Sequence, residues 1–181
     1  GGAYPRLPLT LDHDAVRMVL RETSTKTIRA QGSSFDRAID ESVSMLSQSG
    51  ETAGAILLIT DGEAGDVEAS AGAAERAAAA GISVYGLLIG TDAGAPIPLE
   101  GGGFKKSRSG EVVVSRARPE VLQAVARSTG GAVVRSVPGD GDVRALVLDE
   151  IHSGAIASTQ RVRRERVWNE RFQLEKICTR Y

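Results

Sequence analysis

The chain holds a single cysteine, Cys178, so it cannot close an internal disulfide or build a Cys-cluster metal site. It has no run of 18 apolar residues, which excludes a membrane-spanning helix from these residues. An excess of either charge is also missing: 22 Lys and Arg face 23 Asp and Glu, a formal net charge of −1. That balance gives no electrostatic ground for expecting nucleic acid or an anionic membrane as the main partner. Neither a Gly-x-x-x-x-Gly-Lys-Ser/Thr loop nor a strand-linked Gly-x-Gly-x-x-Gly occurs, so no nucleotide is expected. The first residue is not Met, and Gly1-Gly2 does not resemble a signal peptide. The expectation is a piece of a longer polypeptide. Its 181 residues, 41% hydrophobic, suffice for one domain with a core and a tail.

What is present centres on Ala55-Ile56-Leu57-Leu58-Ile59-Thr60-Asp61-Gly62-Glu63. Four successive large aliphatic residues without polar alternation predict a strand buried on both faces, as in a helix-covered parallel sheet. The run stops at Thr60 and Asp61, which places both at the carboxyl end of a central strand, where open α/β sheets bind ligands. An Ala-rich helix from Val67 to Ala80 and a second apolar strand, Ile82 to Ile89, come next. Strand, helix, strand in that order implies a right-handed parallel crossover.

The remaining elements alternate around this unit. Ala3 to Leu9 reads as a short edge segment limited by Pro5 and Pro8. Asp12 caps a helix over Ala15 to Glu22 with Val16, Val19 and Leu20 on one face. Phe35, Ile39, Val43 and Leu46 step by three or four along another helix. Thr91 to Pro98 is a turn-rich loop. Gly103 to Lys106 and Glu111 to Ser115 flank Ser107-Arg108-Ser109-Gly110 as an inserted β-hairpin. Pro119 opens a helix to Ser128, ended by Gly130-Gly131. Ala132 to Ser136 is a last strand, and Asp142 to Ile151 a last helix with Val143, Leu146, Val147 and Ile151 as its apolar face. The fold class is α/β, a doubly wound, mostly parallel sheet with helices on both faces and an inserted hairpin.

In such a fold, helix starts and strand carboxyl ends meet on one rim. Ser33 lies before a helix and Asp61 at the end of the next strand, so they should lie close together there. A hydroxyl and a carboxylate are hard oxygen donors suited to Mg²⁺. The plainer reading is that Ser33 or Ser34 caps its helix and Asp61 caps a turn.

Gln31-Gly32-Ser33, the helix from Phe35 to Leu46, and Leu58-Ile59-Thr60-Asp61-Gly62-Glu63 together resemble a von Willebrand factor type A domain. Pro8-Leu9-Thr10-Leu11-Asp12, Gly90-Thr91-Asp92, Ala95-Pro96-Ile97-Pro98, Gly101-Gly102-Gly103-Phe104 and Thr129-Gly130-Gly131 narrow this. They resemble the aerotolerance-type (Bat-like) bacterial membrane proteins, with residues 1–152 as a partial domain. The resemblance implies a metal-ion-dependent adhesion site with Ser33 and Asp61 as metal ligands, supported by Gly32, Ser34, Thr60 and Gly62. The family's first metal loop, an Asp-x-Ser-x-Ser at the end of the first strand, is not found at a strand end in this sequence, and its strand would lie next to Ala55–Thr60. The site implied is therefore incomplete, binding Mg²⁺ or another divalent cation weakly or not at all. An exposed strand edge and limited stability are expected with it.

The implied function is a non-catalytic interaction domain that binds a partner's Asp or Glu carboxylate through the metal. It would be a soluble domain of a protein anchored in the bacterial cell membrane, on a side the resemblance leaves open. Two alternatives stand beside it: a phosphohydrolase of haloacid-dehalogenase type, echoed by Thr60-Asp61-Gly62 and Gly139-Asp140-Gly141-Asp142, and a metal-free structural module. The first needs an Asp-x-Asp nucleophile, which Asp61-Gly62-Glu63 does not supply. Residues 153–181 form a basic, Arg/Glu-rich segment with Trp168 and Phe172, read either as juxtamembrane or as a charged surface helix.

Overall fold

The computed structural model describes residues 1–24, 32–49, 54–63, 65–99, 101–146 and 151. In chain order these form α1 (His13–Glu22), α2 (Phe35–Gln48), β1 (Gly54–Thr60), α3 (Val67–Ala79) and β2 (Ile82–Leu88). Beyond them lie β3 (Ala95–Pro96), β4 (Val114–Ser115), α4 (Pro119–Ser128), β5 (Val133–Arg135) and α5 (Gly141–Arg144). The segment 153–181, Val147 and Gln31 lie outside the described residues.

The main sheet is parallel, in the order β1-β2-β5, with Gly54 opposite Ile82 and Gly86 opposite Val133. The architecture is thus the expected open α/β sheet. One face carries α2, α3 and α4. There Phe35 and Ile39, Ala73, Ala74 and Ala77, and Leu122 and Val125 close over Ile56, Ile82, Val84 and Leu88. Alanines on α3 let that helix sit close to the sheet, where larger residues would hold it off. Gly86 serves the same end from the strand, since a Cβ there would stand 2.7 Å from Leu122 Cδ2. The opposite face has a smaller cluster of Tyr85, Leu87 and Leu146, with Ala132, Val134 and Ile151 packed against it.

Local signals explain most boundaries. The Asp12 carboxylate accepts from the amides of Asp14 and Ala15, and that of Asp66 from Ala69, so both start their helices. Pro119 occupies the first turn of α4. At the other end of α4, Thr129 Oγ1 accepts the Val84 amide at 2.9 Å, at a point in β2 before its pairing with β5 begins. The next glycine but one, Gly131, runs so close to β2 that a Cβ would fall 2.0 Å from the Val84 carbonyl oxygen.

Four expectations change. Ala3–Leu9 is not a strand, its two prolines having withheld the amides a ladder requires. Helix α1 forms but buries none of its residues, and Leu20 is 65% exposed. On its apolar face Val16 and Val19 are only half-buried. Strand β1 is covered on one face only: Ile56 is buried, whereas Leu57 and Ile59 are 38% and 64% exposed. In the last helix, α-helical geometry ends at Arg144 and passes into wider π-type turns at 145, 146 and 151. Val143 is exposed, because Asp142 takes the inward position.

The insertion is larger than a hairpin. Residues 95–98 pair with 112–115 and 104–105, and 105–106 with 112–113, through Ile97–Val113, Lys105–Ile97 and Val113–Lys105 backbone bonds. The stretch read as a loop therefore supplies one segment of a three-segment antiparallel meander that is closed by pairing between its first and last segments. Its prolines, Pro96 and Pro98, are accommodated because Ile97 supplies the amide and carbonyl that the pairing uses.

Candidate functional site at the carboxyl rim of the sheet

The carboxyl ends of β1 and β2 open onto three loops: 32–34 before α2, 61–66 after β1, and the return of the meander into α4. Backbone bonds tie them together. The Gly65 amide donates to the Ser33 carbonyl at 3.0 Å, and the Arg118 amide to the Asp61 carbonyl at 2.9 Å. The structure thus joins the Ser33 loop to the loop that Asp61 opens, on one rim.

Each residue there has a definable state. Ser33 is exposed. Ser34 takes the N-cap position of α2, yet its hydroxyl donates to Asp36 Oδ1 at 2.9 Å and leaves the helix amides uncapped. Thr60 Oγ1 accepts the Gly62 amide at 3.0 Å, and Asp61 Oδ1 accepts the Glu63 amide at 3.2 Å. Both side chains thus close the turn that ends β1, and Asp61 is half-buried. Gly62 has φ +87°, and a Cβ there would lie 2.0 Å from the Arg118 carbonyl oxygen, so only glycine fits. Gly32 also has a positive φ, 107°. Glu63 and Arg118 form an exposed ion pair at 3.8 Å.

The donor set on this rim is therefore an exposed hydroxyl, Ser33, and a carboxylate with one oxygen already engaged. These are hard ligands of the kind a divalent cation takes, but few. Among the described residues no group of three or more His, Cys, Asp or Glu side chains is placed to hold a metal. Elsewhere, the shallow hollow beneath the N-terminus, lined by Gly2, Ala3, Tyr4, Arg37, Asp40 and Glu41, measures about 380 Å³. It lies alongside α2.

Two solved structures are similar to this chain in fold. BatB from Bacteroides thetaiotaomicron, a conserved hypothetical protein, aligns over 88% of this chain and 76% of its own, at 31% identity and a TM-score of 0.76. An aerotolerance-related membrane protein from Bacteroides fragilis, carrying multiple mutations to serines, aligns over 84% and 75%, at 31% identity and a TM-score of 0.77.

The chain belongs to the BatB-type family of aerotolerance-related bacterial membrane proteins.

No protein-family model and no curated protein matches it. The Bacteroides fragilis neighbour is a membrane protein. Among the described residues no helix is long and apolar enough to cross a membrane. Sequence reasoning missed the part that Arg118 and Gly65 play on the rim, because both act through backbone amides, on which side-chain identity is silent. It also missed the outer face of the meander, although the alternation Pro96-x-Pro98, Phe104-x-Lys106, Val112-x-Val114 is the period-2 signal that marks a sheet face.

Proposed function

We propose that this is a von Willebrand factor type A interaction domain of a membrane-anchored protein, whose rim carries an incomplete metal-ion-dependent adhesion site. The reading rests above all on the Gly65–Ser33 backbone bond, which ties the Ser33 loop to the loop begun by Asp61. In this reading Ser33 Oγ and Asp61 Oδ2 are the protein's oxygen ligands, Gly32 and Gly62 shape their loops, and Thr60 and Ser34 hold the turns. The cation, Mg²⁺ or another divalent ion, would leave a position for an Asp or Glu of a protein partner. No catalytic step is proposed.

One carboxylate offsets little of the cost of dehydrating Mg²⁺, so this chain should bind it in the millimolar range or more weakly, to order of magnitude. A longer chain that adds an Asp-x-Ser-x-Ser strand beside β1 should bind more tightly and melt higher, since binding to a site made by folding stabilises the fold. Calorimetric Mg²⁺ titration and melting of both chains provide the test, with Asp61→Asn in the longer one. Equal, tight binding by both, or binding indifferent to Asp61→Asn, would overturn the assignment. The Asp61–Glu63 turn bond favours one competing reading, a metal-free module. Under that reading Asp61→Asn changes stability alone.

A further inference from the structure

The meander has two unlike faces, and its register assigns residues to each. Directly opposed residues share a face: Pro96 with Val114, Pro98 with Phe104, and Lys106 with Val112. Alternation then puts Pro96, Pro98, Phe104, Lys106, Val112 and Val114 together, and all six are exposed. On the other face Ile97, Val113 and Ser115 are half-buried, while Ala95, Leu99 and Lys105 are exposed. The first face is exposed throughout and apolar apart from one lysine, and Phe104 is 49% exposed on it.

Charge is concentrated in the same place. Between residues 95 and 118 there are five basic residues, Lys105, Lys106, Arg108, Arg116 and Arg118, and two acidic ones, Glu100 and Glu111. The local charge of +3 sits in a chain of net charge −1, so the rest carries −4. The overall balance conceals a strong segregation.

We propose that this meander face docks on an anionic lipid bilayer. Phe104, the prolines and the valines would seat at headgroup level, with Lys106 and the flanking Arg108 and Arg116 against lipid phosphates. An aromatic ring surrounded by Lys and Arg is the chemistry that membrane interfaces favour. Residues 1–94 and 119–152 carry −8 and are repelled by the same surface, while the basic residues 153–181, at +4, are attracted to it. A bilayer also demands no shape complementarity, and the meander's turns at Gly101, Gly102, Gly103 and Gly110 border open space. The family's membrane setting keeps such a surface within reach. This docking is independent of any metal on the rim.

Co-sedimentation of the full 181-residue chain with phosphatidylcholine vesicles, with and without phosphatidylglycerol, tests it. Binding should require the anionic lipid and weaken as salt is raised. Each basic residue removed should lower the partition coefficient roughly fivefold, so Lys106→Ala/Arg108→Ala loses about 25-fold. Phe104→Ser should remove the part of binding that survives high salt. Melting temperatures check that these exposed substitutions leave the fold intact, and Arg163→Ala/Arg164→Ala serves as the control in the basic C-terminal segment. Binding lost in that control but kept in the meander variants would overturn the proposal. So would equal binding to neutral vesicles, or none to either, the result expected if the face instead meets an acidic protein.

Discussion

β1 and β2 are neighbours of equal length, each rich in aliphatic residues, and yet they live in different surroundings. Ile59 and Leu87 are register partners on the outer face of the sheet. Leu87 is 8% exposed beneath Leu146, whereas Ile59 is 64% exposed. On the helix side the two strands are alike, with Ile56 and Val84 both in the core. Composition set the capacity of each strand to be buried. Position relative to the turns after α5, which carry Leu146 and Ile151, decided which of them used it.

The sharpest way to break the comparison is to truncate both partners. Leu87→Ala should cost about 3 kcal/mol, as buried leucines do, while Ile59→Ala should stay within roughly 0.5 kcal/mol. Chemical denaturation of the two variants decides the matter. Comparable losses would mean that β1 is covered in solution after all.

A smaller effect is expected where α4 meets β2. Thr129→Val keeps the shape but strips the Val84 amide of its acceptor, at a cost of about 1–2 kcal/mol. The Thr129 hydroxyl also donates to the Val125 and Ala126 carbonyls, which helical geometry already satisfies in part. Hydrogen exchange at the Val84 amide should rise sharply. An unchanged rate would show that the bond is not what protects the strand.

The smallest effect, read as a slope of stability against pH, belongs to Asp142. The amides of Val137 and Val143, and then the Ser136 hydroxyl, bond its carboxylate and hold its pKa below the usual carboxylate value. A lowered folded-state pKa adds stability that is fully present above the ordinary carboxylate range and is lost as pH falls through the folded value. The wild-type chain should therefore lose stability in acid faster than Asp142→Asn. The loss should appear at the covered patch of Tyr85, Leu87 and Leu146, and leave β1 largely unaffected. Parallel slopes of stability against pH for the two chains would contradict this.

The sequence was most legible where a residue type dictates its own geometry. Asp12 and Pro119 started helices as expected, and Gly130-Gly131 ended one. The parallel crossover from β1 to β2 could be read from its order alone. Coverage was not legible, because an apolar run reads the same with or without a neighbour, as Ile59 and Leu20 both show. On the rim, the tie between the Ser33 and Asp61 loops could be expected from topology, but the Gly65 and Arg118 amides that fasten it could not. The meander's third segment was hidden by its prolines, which look like loop residues until the pairing of Ile97 is seen.

The Ala117 amide meets the Thr91 carbonyl at 3.2 Å, so the chain leaves the sheet and returns to it at nearly the same point. The entropy of joining two ends grows only as the logarithm of the length between them, about 0.6 kcal/mol for each doubling. Residues 92–116 can thus lengthen, shorten or change sequence at little thermodynamic expense to the parallel sheet. Across related chains this segment is free to diverge in size and character, each lineage fitting it to its own surroundings, while β1, β2 and β5 keep their register beneath it.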